Sequence, residues 1–88
     1  MKVLFEDRYG KYREIADVQT KKEVNKVIYN FLAEHNFKSY YTRNWIHETK
    51  EGKWYVMYDV GSHSEFFCVS FDTHDQAEKF LKEETFGF

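Results

Sequence analysis

Two neighbouring segments of the chain, residues 54–60 and 66–71, place apolar side chains on both faces of a β-strand. In the first segment one face carries Trp54, Val56, Tyr58 and Val60 and the other carries Tyr55 and Met57; in the second, Phe67, Val69 and Phe71 share a face that is opposed by Phe66 and Cys68. Antiparallel sheets usually keep one solvated face. The sequence therefore predicts a sheet that is either covered by helices on both sides or open to a partner on one side.

Turn residues divide the remaining strands. Gly10 separates the apolar residues 3–5 from an alternating segment at 12–18, which predicts a β-hairpin. A further strand is expected at 40–49. The turn residues Lys50 to Gly52 and Gly61 to Ser64 then connect three strands into an antiparallel meander.

Two helices are indicated by capping signals. Thr20 and Glu23 form a capping box in which the hydroxyl accepts the Glu23 amide and the carboxylate returns to the Thr20 amide. The apolar stripe that follows consists of Val24, Val27, Ile28, Phe31 and Leu32, and Asn36 is a suitable stop. Thr73 and Gln76 form a second box before Ala77, Phe80 and Leu81. The order β-β-α-β-β-β-α predicts an α+β fold, a mainly antiparallel sheet with two helices packed on it.

Composition predicts one domain over residues 1–88. The chain has 9 Phe, 7 Tyr and 2 Trp, no proline and a single cysteine, so an aromatic core is expected and an intrachain disulfide is excluded. Met1 to Glu6 lacks the apolar region of a signal peptide, and no stretch is long enough to cross a membrane. We expect a cytoplasmic protein.

Charge is distributed unevenly along the chain. Residues 1–44 carry nine Lys or Arg against six Asp or Glu, whereas residues 45–88 carry four against nine. An acidic half repels phosphate and attracts basic protein surfaces. This asymmetry favours a protein partner for the second half.

Residues with catalytic or metal-binding chemistry form no recognised motif. His47, His63, Cys68 and His74 lack the spacing of metal ligands, and no glycine-rich phosphate loop is present, so neither a metal nor a cofactor is expected. Cys68 is interpreted as a small buried hydrophobe in mid-strand. Asp59 and Glu65 flank the 61–64 turn and are interpreted as solubilising charges. The best catalytic cluster, that of a small ribonuclease, combines Arg43, His47 and Lys53.

One segment predicts nucleic-acid binding as an alternative. Aromatic and basic residues interleave between residues 38 and 45, a composition that can stack bases and neutralise phosphates. The residues concerned are Lys38, Tyr40, Tyr41, Arg43 and Trp45. Core packing of the rings is the competing interpretation.

Two resemblances bear on function. Residues 50–84, with Gly52 to Val56 and then Phe71 to Thr73 leading into Ala77 to Leu81, are similar to the three-stranded arm-binding domain of integrases. That domain inserts a basic sheet into DNA, whereas residues 53–72 hold one lysine against three acids. The chain as a whole resembles small orphan proteins encoded by phages and prophages of Gram-positive bacteria, which include anti-CRISPR proteins.

The second resemblance implies a non-enzymatic inhibitor of a host defence or nucleic-acid-handling machine, with a Cas effector as one candidate partner. Such a protein would use an acidic and aromatic surface, and a homodimer through the same face is the other interpretation. The residues expected to carry binding are Asp59, Glu65, Asp72, Asp75, Glu78, Tyr55, Met57 and Phe66.

Overall fold

The computed structural model describes residues 1–35, 43–59 and 65–83, and these form five strands and two helices. The elements are β1 (Lys2–Glu6), β2 (Tyr12–Asp17), α1 (Lys21–Glu34), β3 (Arg43–Glu48), β4 (Trp54–Asp59), β5 (Phe66–Phe71) and α2 (His74–Lys82). The predicted element order and the α+β class are confirmed. Residues 36–42, 60–64 and 84–88, which include the predicted helix stop at Asn36 and the turn at 61–64, lie outside the described part.

All five strands belong to one antiparallel sheet with the order β2-β1-β5-β4-β3. The predicted meander β3-β4-β5 is confirmed. The N-terminal hairpin extends it, because β1 pairs with β5 and aligns Val3 with Val69 and Glu6 with Phe66. Sequence patterns had not decided whether the hairpin joins the main sheet.

The β1-β2 and β3-β4 hairpins close with the same turn chemistry. The carboxylate of Asp7 and the hydroxyl of Thr49 each accept a hydrogen bond of 3.0 Å from the amide four residues later. Gly10 and Gly52, three residues after these acceptors, have φ angles of 78° and 83°, a backbone conformation that residues with a side chain rarely adopt. These two turns fix the register of both hairpins.

Both described helices pack on the same face of the sheet. Their apolar stripes meet apolar strand residues in one core of Val3, Val24, Ile28, Leu32, Val56, Tyr58, Phe67, Val69, Ala77 and Phe80. The sequence left open whether helices cover both faces. Among the described residues, they cover one face and leave the other open. No described helix is long and apolar enough to cross a membrane.

The two helix starts differ in detail. At α2 the capping box between Thr73 and Gln76 is complete. At α1 the Thr20 hydroxyl accepts from the Glu23 amide at 3.2 Å, as predicted. The Glu23 carboxylate, however, accepts from the Thr20 hydroxyl at 3.0 Å instead of from the backbone amide. The prediction of a full box was therefore wrong at α1, since the carboxylate and the hydroxyl satisfy each other.

A bulge interrupts the β1-β2 register between Val3 and Leu4. Ala16 lies opposite Val3 and Glu14 opposite Leu4, so Ile15 is the additional residue. Because of the bulge, the adjacent residues Ile15 and Ala16 both pack against the helix-side core, which strict alternation would forbid. The sequence pattern gave no sign of it.

A buried lysine connects the start of α1 to the end of α2. The Lys21 ammonium donates to the backbone carbonyls of Leu81 at 3.1 Å and Glu83 at 2.7 Å, and it lies 5.2 Å from the ring centroid of Phe80. Only 8 % of Lys21 is exposed. Burial lowers the pKa of the ammonium, and the charge of Glu83 opposes that shift. Lys21 thus supplies donors to carbonyls that a helix C-terminus leaves unpaired.

We predict that Lys21→Met destabilises the fold by about 1 to 3 kcal/mol, because the aliphatic stem stays while two partly buried carbonyls lose a charged donor. Urea unfolding followed by circular dichroism measures the change. Lys22→Met, at the exposed neighbouring position, is the matched control and should differ from wild type by about 0.5 kcal/mol or less. Equal stability of the two variants would contradict the assigned role.

Candidate functional site

The sheet face opposite the helices, here called the open face, is lined by side chains from all five strands. It carries Leu4, Glu6, Tyr12, Trp45, His47, Tyr55, Met57, Phe66 and Cys68. Strand alternation places these residues away from the helix-side core. The open face is therefore the largest described surface of the sheet that no helix covers.

Aromatic side chains cover the middle of the open face in place of a helix. Tyr12 and Tyr55 meet edge to face with ring centroids 5.4 Å apart, and Trp45 and Phe66 meet in the same way at 6.1 Å. Residues between them are shielded: Cys68 is 0 % exposed although it lies on the helix-free side. The rings form a second, smaller apolar layer.

A groove of about 260 Å³ lies within this aromatic layer. It is lined by Glu6, Tyr12, Trp45, His47, Met57 and Phe66. The sheet register explains how Glu6 comes to lie among rings, since Glu6 is aligned with Tyr12 on one side and with Phe66 on the other. The groove thus combines three aromatic walls, a Met57 side chain that is 5 % exposed, an imidazole and one carboxylate.

The electrostatics of the groove are dominated by Glu6. Burial raises the pKa of Tyr12 strongly, and the Glu6 charge and a hydrogen bond with its carboxylate raise that pKa further. Glu6 also contributes, after burial, to the raised pKa of Cys68. Within the described residues Glu6 forms no ion pair. The groove therefore holds a negative charge that its tyrosine partner does not neutralise.

The eight residues predicted to bind a partner lie in separate places. Tyr55, Met57 and Phe66 belong to the open face, and Asp59 follows Met57 by two residues on the same strand and is aligned with Phe66. Glu65 directly precedes β5 at the same end of the strand pair. This subset lies together at or beside the groove.

The other three predicted acids lie at the opposite end of β5 or on α2, and cations accompany two of them. The Asp72 carboxylate accepts a hydrogen bond from Lys53, which lowers its pKa. The Glu78 carboxylate accepts one from Lys82 at 2.6 Å, with the same effect. Asp75 is exposed in the first turn of α2. The structure does not bring these acids into one surface with the rings.

The predicted catalytic cluster is not brought together. Arg43 is aligned with Asp59 at one end of the β3-β4 pair, whereas Lys53 follows the turn at the other end and pairs with Asp72. Arg43 and His47 are four residues apart on one strand, about 13 Å. Arg43 therefore lies apart from His47, whereas Lys53 lies two residues before Tyr55, the residue aligned with His47.

Of the predicted nucleic-acid segment, only Arg43 and Trp45 lie in the described part, and Lys38, Tyr40 and Tyr41 fall outside it. Trp45 lies on the open face, in the same groove as Glu6. A carboxylate there opposes phosphate binding. Trp45, one of the five predicted residues, thus lies in a groove that also holds a carboxylate.

A cluster of potential metal ligands lies on the first turns of α2. The ligand atoms of His74, Asp75 and Glu78 are within 4.8 Å of one another, but the Glu78 carboxylate is also hydrogen-bonded to Lys82. Exposed groups of this kind are common at helix starts, where acids are favoured by the helix dipole. The dipole accounts for Asp75, which is in the first turn, and Lys82 already engages the Glu78 carboxylate.

No protein-family model, curated protein or solved structure matches this chain. The candidate site therefore depends on geometry. Sequence reasoning had not selected Glu6 and Tyr12, and had considered His47 only for catalysis or metal binding. Alternation along β1 and β2 could have placed Glu6 and Tyr12 on the outer face, but the β1-β5 pairing that brings them to Phe66 has no local signal.

We predict that Tyr12→Ala speeds the reaction of Cys68 with an aromatic disulfide reagent by about tenfold or more, since a shielding ring is removed. The chain has one cysteine, so the reaction reports on a single thiol. Tyr9→Ala is the control because Tyr9 is 81 % exposed in the first hairpin turn. Equal rates in the two variants would show that the tyrosine ring does not shield the thiol.

The second prediction at this site concerns alkaline pH. Burial raises the pKa of Cys68 from 9.0 to about 12. Between these values the unfolded chain loses the thiol proton while the folded chain keeps it, so stability falls as pH rises, by up to about 1.4 kcal/mol per unit. In urea unfolding from about pH 8 to about pH 11, the stability of Cys68→Ala should fall less steeply with pH than that of wild type. If the stability of Cys68→Ala falls with pH as steeply as that of wild type, the buried thiol is not the source of this pH dependence.

Proposed function

We propose that this chain is a non-enzymatic binding protein that contacts a partner protein through the groove on its open face. The observation that carries the proposal is the Glu6 carboxylate, held among the partly exposed rings of Tyr12, Trp45 and Phe66. Aromatic side chains, Trp and Tyr above all, are enriched at the energetic centres of protein interfaces. The helix-side face is already occupied by α1 and α2.

The chemistry of the described residues supports binding over catalysis. The Cys68 thiol is buried and its pKa is raised to about 12, which keeps it protonated at neutral pH. In the strand register Arg43 lies four residues from His47, at the other end of β3, and the ammonium of Lys53 pairs with Asp72. A ribonuclease would need such groups around one phosphate.

Charge favours a protein over the two alternative partners. Nucleic acid would place phosphates beside the Glu6 carboxylate. A homodimer with two-fold symmetry would bring the same acidic surface of two copies together. A partner with a basic surface has complementary charge.

The resemblance to small phage proteins gives this proposal a biological setting. An anti-CRISPR protein that occupies the basic nucleic-acid channel of a Cas effector in the host cytoplasm needs an acidic and aromatic surface of this kind. Phage origin, a Cas partner and the cytoplasmic location are part of the proposal and stay predictions.

The test is affinity capture from a lysate of the source cells with three immobilised proteins: wild type, Glu6→Lys and Glu48→Lys. Glu48 is the matched control, because it is exposed on the strand that carries Trp45 but alternates to the other side of the sheet. We expect a protein that is retained by wild type and Glu48→Lys and lost with Glu6→Lys.

Tyr12→Arg, a change at a partly exposed groove residue on an edge strand, replaces Glu6→Lys if that variant does not fold. Retention of the same proteins by all variants would overturn the proposed surface. Light scattering on the purified chain checks the homodimer, and binding to labelled RNA or DNA that weakens steeply with salt would favour the nucleic-acid alternative.

A further inference from the structure

We infer that the groove accepts the guanidinium group of an arginine side chain on the partner, with the rings of Tyr12, Trp45 and Phe66 as walls and Glu6 as counter-ion. This inference rests on the proposed function and names the chemistry that the groove recognises. It follows from the shape, charge and size of the groove.

The aromatic walls favour a cation. The faces of Trp, Tyr and Phe rings carry negative potential and attract a cation within about 6 Å of the ring centroid. The same chain already uses this contact on its helix side, where the Arg13 guanidinium lies 5.9 Å from the Phe5 ring and 5.8 Å from the Phe31 ring. The groove offers comparable rings with no arginine or lysine among the described residues that line it.

The Glu6 carboxylate favours a cation over a neutral group more strongly than the rings do. Glu6 is partly buried beside apolar side chains, where electrostatic attraction is less screened than in bulk water. Its described partner is the neutral Tyr12 hydroxyl, which leaves acceptor capacity on a carboxylate that can receive several hydrogen bonds. A guanidinium supplies donors in the fork geometry that matches a carboxylate.

The volume of the groove suits one side chain. At about 260 Å³ it is smaller than the sites that enclose drug-sized ligands, which begin at about 300 Å³. Arginine fits better than lysine because its planar group stacks on aromatic faces and is more weakly hydrated than an ammonium. An arginine that projects from a protein surface therefore satisfies the rings and the carboxylate together.

The test uses the emission of Trp45 in a Trp54→Phe background, in which Trp45 is the sole tryptophan. Trp54 lies on the other face, edge to face with His74, so phenylalanine keeps a ring there. The protein is titrated at constant ionic strength with a blocked pentapeptide of one arginine flanked by glycines. Parallel titrations use the same peptide with citrulline, the neutral isostere, and with lysine.

We expect saturable binding of the arginine peptide, with affinity about tenfold lower for the citrulline peptide and for the Glu6→Gln protein. Glu48→Gln, the control on the same strand as Trp45, should bind like wild type. The inference would be overturned if the citrulline peptide or the lysine peptide bound as tightly as the arginine peptide. Unchanged affinity of Glu6→Gln for the arginine peptide would overturn it as well. If Trp54→Phe does not fold, the indole proton resonance of Trp45 in the wild-type protein reports the same titrations.

The outcome separates this inference from the proposed function. If cellular capture depends on Glu6 but the arginine and citrulline peptides bind alike, the inference fails and the proposed function stands. If the arginine peptide binds selectively while groove variants leave capture unchanged, the proposed function fails and the groove still recognises guanidinium.

Discussion

The pairing of β1 with β5 is the interaction on which the rest of the structure depends. It joins the N-terminal hairpin to the meander, so that Val3 meets Val69 beneath the helices and Glu6 meets Phe66 on the other side. Without it, the hairpin would be an isolated two-stranded unit, which is marginal in water. The same pairing thus completes the core and forms the groove, because side chains along the two paired strands alternate between the two faces of the sheet.

Local patterns in the sequence predicted the strands of the meander, both faces of β4 and β5, the two glycine turns and the helix starts, because periodicity and capping act over a few residues. They could not predict the contacts made across long sequence separations. The β1-β5 register, the Ile15 bulge and the position of Lys21 beneath the end of α2 all depend on how finished elements meet. The groove also depends on contacts across a long sequence separation, since Glu6 and Phe66 are sixty residues apart.

Net charge along the chain was an incomplete guide to where uncompensated acidic side chains lie on the fold. The second half is acidic, yet Asp72 and Glu78 are hydrogen-bonded to Lys53 and Lys82. The acid at the centre of the groove, Glu6, comes from the basic half of the sequence. The effect of a charge depends on its surroundings. An exposed ion pair contributes little free energy, whereas a single carboxylate among rings is less screened by water.

In the part of the chain that the structure describes, side chains and not a helix cover the open face, and this bears on how fast the proposed partner could engage it. Rotation of partly exposed rings takes place in picoseconds to nanoseconds, whereas displacement of a packed helix takes microseconds or longer. Tyr12 and Tyr55 can therefore part by rotamer change while the backbone of the sheet stays fixed. Rotamer change among the described rings would add no slow step to association of the proposed partner, which would then depend on diffusion and charge steering.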